Sequence, residues 1–270
     1  MLKVGILIPT MNRSEFLIRQ LKYYASVKSP HPIYIGDASN NEHSQKIKYV
    51  IDKLSSKLKI IYNHWPEYND RQTIQKLGKI CNEKYCAFTG DDDFLVPNSL
   101  TKCAMFLKDN LDYRTAQGKA IFFSLKSNTP YGEILGLGPY WNKTESIEET
   151  CEKRILSFGS SYWVPQFSVH RSDEFIEDSI NYAKVIDKSF GEILHSFTFI
   201  CKGKSKFINT LYLFRQGHEF QYNLPNVLDW IYSSEWNPSF NFFIGSLSSE
   251  INKLDFDINK KPEDIAKKAF

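Results

Sequence analysis

The sequence predicts an α/β fold in which an open, mostly parallel sheet is flanked by helices. Up to about residue 110, short apolar runs alternate with segments whose apolar residues recur at helical spacing. This alternation implies right-handed crossovers between parallel strands. Residues 111–270 are less regular, and we expect them to form a smaller, irregular lobe of the same domain.

The predicted elements follow one another in order. Residues 4–9 are apolar with almost no alternation, which is typical of a strand covered on both faces of a parallel sheet. This strand should be central. Further strands are predicted at 33–35, 58–62 and 85–88, and helices at about 14–24, 47–54, 71–82 and 97–107.

The second half carries weaker patterns. Glycine and proline residues in 126–145 predict a long loop or a hairpin, and 204–215 reads as a strand. The segment 249–270 is charged and compatible with a helix. The aromatic residues of 236–244 are expected in the core, with a membrane or partner contact as the alternative.

Composition limits the function classes. The 270 residues carry a net charge of +3 and 42% hydrophobic residues, which gives no indication of nucleic-acid binding. Five cysteines without a Cys-x-x-Cys pair indicate neither a disulfide framework nor a zinc knuckle. The N-terminus has no leader pattern, and no apolar run approaches the roughly 20 residues of a membrane span. We therefore expect a cytoplasmic protein, with peripheral contact at the inner face of a membrane left open.

Three consecutive carboxylates, Asp91, Asp92 and Asp93, directly follow the predicted strand 85–88. Three anions at a buried strand end repel one another unless a cation or a ligand compensates them. Gly90 relieves crowding before the cluster, and Pro97 can open a helix after it. The pattern favours a metal site, and the alternative is a solvated acidic turn that caps the next helix.

Other polar residues follow neighbouring strands. Pro9 and Thr10 end the first strand and Asp37 ends the second, so these residues and the acidic cluster should meet in one crevice. There Mg²⁺ or Mn²⁺ held by carboxylates would bridge the phosphates of a nucleotide diphosphate. Asp37 either contacts the base or ribose or forms an Asx-turn. Arg71 either reaches a phosphate or forms a surface ion pair.

The turn after the first strand excludes several nucleotide-binding classes. Residues 9–13 contain neither the glycine pattern of a dinucleotide-binding turn nor the Gly-Lys-Ser/Thr of a P-loop. Hydride transfer and ATP hydrolysis therefore lose support. The nucleophilic Asp of an aspartyl-phosphate phosphatase and the glycine-rich signature of sugar nucleotidyltransferases are absent at the same position.

Three segments together resemble glycosyltransferase family 2. They read KVGILIPTMNR at 3–13, IGDAS at 35–39 and TGDDDFLVP at 89–97. The resemblance covers about residues 3–110 and implies the Rossmann-like GT-A fold. It also implies a nucleotide-sugar (donor) lobe at 1–110 and an acceptor-binding and catalytic lobe at 111–270, with a C-terminal helical tail.

The resemblance assigns roles residue by residue. The donor would be contacted by Pro9, Thr10, Asn12, Arg13, Asp37, Arg71, Asp91 and Arg215. Asp92 matches the principal metal ligand, and Asp93 matches a neighbour that binds the sugar or, through water, the metal. The chain departs from the family pattern at Gly36 and Gly90, where the family often has acidic residues.

Two roles are assigned to the later part of the chain. Inverting members of the family use a late carboxylate as general base, and Asp187 is the candidate, with Glu192, Asp173 and Glu174 as substitutes. The alternative role of Asp187 is a helix cap. His218 would contact metal or phosphate, unless it is a structural hydrogen bonder.

These implications give one functional hypothesis. A metal-dependent enzyme would transfer a sugar, with inversion, from a nucleotide-diphosphate sugar to a saccharide or lipid-linked acceptor in cell-surface glycan synthesis. A UDP-sugar is the favoured donor, and no nucleic-acid partner is expected. The alternatives are a metal-dependent nucleotidyltransferase or phosphotransferase, and a non-catalytic relative that binds a nucleotide sugar.

Overall fold

The computed structural model describes residues 2–141, 144–219, 224–254 and 261–270. Within them the strands are β1 (Val4–Thr10), β2 (Ile33–Asp37), β3 (Ile60–His64), β4 (Tyr85–Phe88), β5 (Phe94–Leu95), β6 (Tyr113–Leu125), β7 (Ile134–Trp141), β8 (Val169–Arg171) and β9 (Lys204–Gly217). The helices are α1 (Ser14–Ser26), α2 (Asn41–Leu54), α3 (Asp70–Ile80), α4 (Pro97–Asp109), α5 (Cys151–Ser160), α6 (Ser172–Tyr182), α7 (Lys188–Lys202), α8 (Val227–Ile231), α9 (Trp236–Asn252) and α10 (Pro262–Ala269).

All these strands belong to one large sheet, in the order β3-β2-β1-β4-β8-β6-β9-β5, with β7 paired to β6. The first four strands of this order run parallel, and β1 lies between β2 and β4. The predicted α/β class is confirmed. Thr10 pairs with Asp37 across β1 and β2, so the carboxyl ends of these strands meet at the edge where β4 leads into the acidic residues.

The rest of the sheet is mixed. β8 is antiparallel to β4 and β6, whereas β9 is parallel to β6. The end of β9 pairs with β5, with Phe214 opposite Phe94, and this pairing brings the residues after Phe214 next to the acidic cluster. Residues 126–141 form the turn and second strand of a β6–β7 hairpin, so the hairpin alternative is correct for this part of the segment. Residues 142 and 143 of the predicted range lie outside the described residues.

One strand is displaced from its predicted position. The prediction placed it at 58–62, but β3 runs from Ile60 to His64. The amide of Leu58 still donates to the carbonyl oxygen of Leu54 at the end of α2, at 3.0 Å. The Leu58 amide is therefore already hydrogen-bonded at the end of α2 and does not pair with β2.

Both faces of the sheet are covered. Ile6 and Ile8 point to a cluster that includes Leu17 of α1, and Leu7 points to the opposite cluster with Leu77 of α3. Because side chains alternate along a strand, this arrangement explains why β1 is apolar without a break. A third cluster joins α5, α7, α9 and α10.

The aromatic residues of 236–244 belong to this third cluster, so the predicted core role is confirmed. Phe243 is fully buried, and Trp236 and Phe240 stack on each other beside it. Phe270 packs against Phe243 and Phe240. Among the described residues, no helix has the length and apolar character that crossing a membrane requires.

We expect the replacement Gly159→Ala to release α10 from α5. A methyl group at Gly159 would overlap the backbone carbonyl of Ala269, whereas a methyl at Gly245 of α9 would meet nothing within 4 Å. Gly159→Ala should cost about 1–3 kcal/mol of unfolding free energy. Gly245→Ala, the matched control, should be neutral or stabilise by about 0.5–1 kcal/mol. Urea unfolding measures both, and equal effects would contradict the close approach.

Candidate active site

The acidic cluster is buried at the edge of the sheet. Asp91, Asp92 and Asp93 are 3%, 7% and 3% exposed, so they do not form a solvated turn. A side chain at Gly90 would collide with the carboxylate of Asp92, which explains why glycine precedes the cluster. Pro97 opens α4, as predicted.

The first two carboxylates are bound by side chains from distant parts of the chain. The Thr10 hydroxyl donates to Asp91 Oδ2 at 2.6 Å, and Arg13 Nη2 lies 2.9 Å from Asp91 Oδ1. The same Arg13 nitrogen donates to Asp92 Oδ2. His218 Nε2 lies 2.9 Å from that Asp92 oxygen. One guanidinium and one imidazole thus converge on a single carboxylate oxygen.

The third carboxylate and the cluster's backbone are held by β9 and α1. The amide of Gln216 donates to Asp93 Oδ1 at 3.1 Å. Gln20 donates to the carbonyl oxygen of Asp93 at 2.6 Å, and Arg19 donates to that of Asp92 at 2.7 Å. These contacts fix the path of the acidic segment and leave its carboxylates directed at the other groups of the site.

The environment separates the acidities of the three carboxyl groups. Burial raises the pKa of Asp91 to about 7, against the opposing charge of Arg13. Burial also opposes ionisation of Asp92, but the hydrogen bond from His218 and the charge of Arg13 outweigh it and lower the pKa to about 2. Burial raises the pKa of Asp93 well above its ordinary value. Asp92 is therefore the most acidic of the three.

The cluster opens into a cavity of about 510 Å³, a size that suits a small-molecule ligand. One wall comes from the end of β1, the loop after β2 and the start of α3, including Pro9, Thr10, Met11, Arg13, Ala38, Asn69, Asp70 and Thr73. The rest of the lining includes Gln166, Phe167, Tyr182, Lys188, Glu192, Arg215 and Gln216. The predicted convergence of strand ends therefore forms a real cavity.

Glu192 of α7 faces this cavity. The Tyr162 hydroxyl donates to Glu192 Oε1 at 3.1 Å, and Gln166 donates to the backbone oxygen of Glu192 at 3.1 Å. Burial raises the pKa of Glu192, and the Tyr162 hydrogen bond and the charge of Arg215 oppose this effect. The carboxyl group thus combines access to the cavity with a raised proton affinity.

Arg215 lies beside Asp93 in the cavity lining. Its Nε is 3.9 Å from Asp93 Oδ2, and its Nη1 donates to the Tyr140 hydroxyl at 2.8 Å. The guanidinium also lies 4.8 Å from the centre of the Phe167 ring. It is therefore part of the cavity wall rather than of a surface ion pair.

Asp187 occupies a different place. It is the N-cap of α7, and its Oδ1 accepts hydrogen bonds from the Phe190 amide at 2.7 Å and from Trp230 Nε1 at 3.0 Å. It does not line the cavity. The helix-cap role that the sequence left open is the one these contacts support, and of the substitute carboxylates only Glu192 lines the cavity.

Asp37 is fully buried and forms the Asx-turn that the sequence left open. Its Oδ1 accepts the Ser39 amide at 2.8 Å, and its Oδ2 accepts the Tyr62 hydroxyl at 2.6 Å. Asn12 has a φ of 56° and accepts the Asn40 amide at 3.0 Å. Both residues brace the loops after β1 and β2, and neither lines the cavity.

Arg71 is buried behind the cavity wall. Its Nη2 donates to the carbonyl oxygen of Ile186 at 3.0 Å, and its aliphatic stem packs against Gly191. At 7% exposure it is not in a surface ion pair. Its predicted phosphate contact stays a prediction.

The site offers a limited ligand set to a divalent cation. Across the described ranges, no three His, Cys, Asp or Glu side chains are grouped around one metal position. Asp92 Oδ2 and His218 Nε2 lie 2.9 Å apart. This is a hydrogen-bond distance, and the carboxylate oxygen and imidazole nitrogen that make the contact are both groups that can bind a divalent cation. The two residues therefore fit Mg²⁺ or Mn²⁺ whose other ligands come from phosphate or water.

Sequence reasoning missed Arg19, Gln20 and Tyr162. Gln20 lies four residues after Phe16 and four before Tyr24, on the apolar face of α1, and a polar side chain on such a face is a usable signal. Tyr162 follows the end of α5 and gives no local signal. Its role depends on the packing of α7 beside it.

Comparison with known proteins identifies the fold. No family model matches the chain, and no curated protein matches it. The solved structure of S. aureus TarS 1–349 matches with a TM-score of 0.64 and 13% identity, covering 99% of this chain and 70% of that one. The chain has the fold of TarS. The structure of TarS 1–349 in complex with UDP matches with a TM-score of 0.63 and 15% identity, covering 96% of this chain and 68% of that one. The structure of TarS 1–349 in complex with UDP-GlcNAc matches with a TM-score of 0.54 and 13% identity, covering 97% of this chain and 78% of that one.

We expect Tyr62→Phe to destabilise the protein, because a buried Asp37 oxygen loses its hydroxyl donor. The expected cost is about 1–3 kcal/mol of unfolding free energy. Tyr49→Phe on α2 is the matched control, since its side chain is 61% exposed and the change should stay within about 0.5 kcal/mol. Chemical denaturation measures the difference. Equal stability of the two variants would show that Asp37 does not depend on Tyr62.

Proposed function

We propose that the protein is a metal-dependent glycosyltransferase of family 2 that transfers a sugar from a nucleotide-diphosphate sugar to a saccharide or lipid-linked acceptor, with inversion. A UDP-sugar is the favoured donor. The observation that carries this proposal is the buried carboxylate cluster, which opens into a ligand-sized cavity at the carboxyl ends of β1, β2 and β4. The fold of TarS, a glycosyltransferase solved with UDP and UDP-GlcNAc, supports it.

The charge of the site supports a donor that arrives with a cation. The cavity wall contains Asp91, Asp92, Asp93 and Glu192, and an isolated diphosphate would be repelled by ionised carboxylates. Asp92 and His218 would hold Mg²⁺ or Mn²⁺. When bound, the cation would neutralise charge on the diphosphate leaving group. Arg215 adds a fixed positive charge beside Asp93.

The wall that includes Glu192 suits the acceptor. Gln166 and Lys188 line this wall and offer hydrogen-bond donors to the hydroxyl groups of a sugar. The donor and the acceptor would then meet between the acidic cluster and Glu192.

Glu192 is the proposed general base. It would take the proton of the acceptor hydroxyl as that oxygen bonds to the anomeric carbon and the bond to the diphosphate oxygen breaks. Attack opposite the leaving group inverts the anomeric centre. Tyr162 orients the carboxylate, and the raised pKa of Glu192 increases its affinity for the transferred proton.

Nucleotide binding is the direct test of the donor site. UDP with Mn²⁺ should raise the melting temperature by about 5 °C at saturating concentration, because it binds only the folded state. Asp92→Asn should remove the part of this shift that depends on Mn²⁺. Asp52→Asn, an exposed change on α2, is the control and should keep it. The absence of any shift with UDP in the wild type would contradict the proposal.

Product analysis separates the rival functions. A glycosyltransferase releases a nucleoside diphosphate from the sugar donor, whereas a nucleotidyltransferase releases or transfers a nucleoside monophosphate. A non-catalytic relative would give the thermal shift without either product. Release of the diphosphate together with a transferred or free sugar is the result we expect.

Kinetics of Glu192→Gln tests the base. We expect kcat to fall by about 10²–10⁴-fold, because the proton acceptor is lost. The base must be ionised, and burial raises the pKa of Glu192, so wild-type kcat should rise with pH through a value above the ordinary pKa of glutamate. The variant should lack that acidic limb.

The matched control for this experiment is Asp187→Asn. Asparagine can accept the same hydrogen bonds from Phe190 and Trp230, so the cap of α7 is retained. We expect kcat to change by less than about threefold, since Asp187 lies outside the cavity. The reverse pattern, with Asp187→Asn inactive and Glu192→Gln active, would assign the base to Asp187.

A further inference from the structure

Arg13 lies where the ligands of a cation would converge. Its Nη2 is 2.9 Å from Asp91 Oδ1, donates to Asp92 Oδ2 and lies 3.4 Å from His218 Nε2. A single guanidinium nitrogen is therefore adjacent to all three side chains. Its positive charge compensates two buried carboxylates in the ligand-free protein.

A divalent cation could not share this position with Arg13. Metal bonds to Asp92 and His218 of about 2.0–2.2 Å would place the ion beside atoms that the Arg13 nitrogen already contacts. The metal ion and the Arg13 guanidinium, bound to the same carboxylate, would repel each other strongly in this buried site. This repulsion favours movement of the guanidinium away from the carboxylates when the metal binds.

The two arginines of this region differ in how they are held. Arg19 donates to the carbonyl oxygens of Asp92 and Pro130 and to the side chain of Gln216, and carbonyl oxygens would remain acceptors after a metal binds. Arg13 makes its charged contacts with the carboxylates themselves, and its buried Nε has no hydrogen-bond partner among the described residues. The contacts of Arg13 are the ones that a metal would replace.

We propose that Arg13 is a built-in competitor of the divalent cation, which occupies the metal position until a metal–nucleotide complex displaces it. This inference rests on the proposed function. Arg13 lines the cavity, and its side chain is 22% exposed, so it has space to leave the carboxylates. The phosphates of the incoming nucleotide offer the displaced guanidinium a new anionic partner. Metal alone should therefore bind weakly, and metal and nucleotide should bind cooperatively.

The test is Mn²⁺ binding to the nucleotide-free protein, measured from the electron paramagnetic resonance signal of free Mn²⁺. Arg13→Gln should bind Mn²⁺ about tenfold tighter than the wild type, because the competing charge is gone. Arg13→Lys keeps the charge and should stay near the wild type. Lys22→Gln, an exposed change on α1, which follows Arg13, controls for net charge and should have no effect. Asp92→Asn added to Arg13→Gln should abolish the gain.

A second measurement uses the wild-type fold and does not depend on the stability of Arg13→Gln. In protein labelled with ¹⁵N-arginine, addition of Mg²⁺ and UDP should shift the Nε–H resonance of Arg13, assigned from its loss in Arg13→Lys. The Arg19 resonance should move much less, because its carbonyl partners remain in place.

The outcomes separate this inference from the proposed function. Equal Mn²⁺ affinity of Arg13→Gln and the wild type, or an Arg13 resonance that does not move, overturns the competition. If UDP still shifts the melting temperature in an Mn²⁺-dependent way, the transferase proposal stands. If UDP does not bind the wild type with Mn²⁺, the proposed function fails, whatever the Mn²⁺ affinity of Arg13→Gln.

Discussion

The compensation of three buried carboxylates is the constraint on which the rest of this structure depends. An isolated carboxylate in a protein interior is costly, so each of these groups needs a partner in place. Thr10 and Arg13 supply partners from the end of β1, and Gln216 and His218 supply them from the end of β9. The fold must therefore bring two strand ends, separated by some two hundred residues, to the end of β4.

The mixed half of the sheet accomplishes this. The two residues of β5 directly follow the acidic cluster and pair antiparallel with β9, with Phe94 opposite Phe214. This register places Arg215 and Gln216 beside Asp93. The Arg215 guanidinium approaches the Asp93 carboxylate, and the backbone amide of Gln216 donates a hydrogen bond to it. A shift of one residue would turn the side chains of β9 to the other face and separate these groups. The parallel half supplies the crevice, and β9 supplies its second wall.

The parallel half and the acidic cluster could be predicted because their signals are local. A strand buried on both faces is an unbroken apolar run, and a strand end is the point where that run stops. The position of β9 against β5 could not be predicted, because it depends on a pairing more than a hundred residues apart.

Asp187 illustrates a different limit: an acidic residue at the start of a helix is equally suited to a cap and to catalysis. Its contacts with Phe190 and Trp230 establish the cap, and its predicted role as base stays a prediction. Glu192 lies within a helix, where the sequence does not show which face meets a cavity.

The contacts of Asp37 limit what it can do for a nucleotide. Both of its oxygens already accept a hydrogen bond, from Ser39 and from Tyr62, and the side chain is fully buried. Because the side chain is fully buried, a base could reach its remaining acceptor sites only if Tyr62 moved or the turn at Ser39 opened. Side chains that already line the cavity at the start of α3, Asp70 and Thr73, need no such rearrangement. Asp70 and Thr73 are therefore better placed than Asp37 to meet a base, and the predicted donor contact of Asp37 stays a prediction, while its observed contacts hold the neighbouring turn in place.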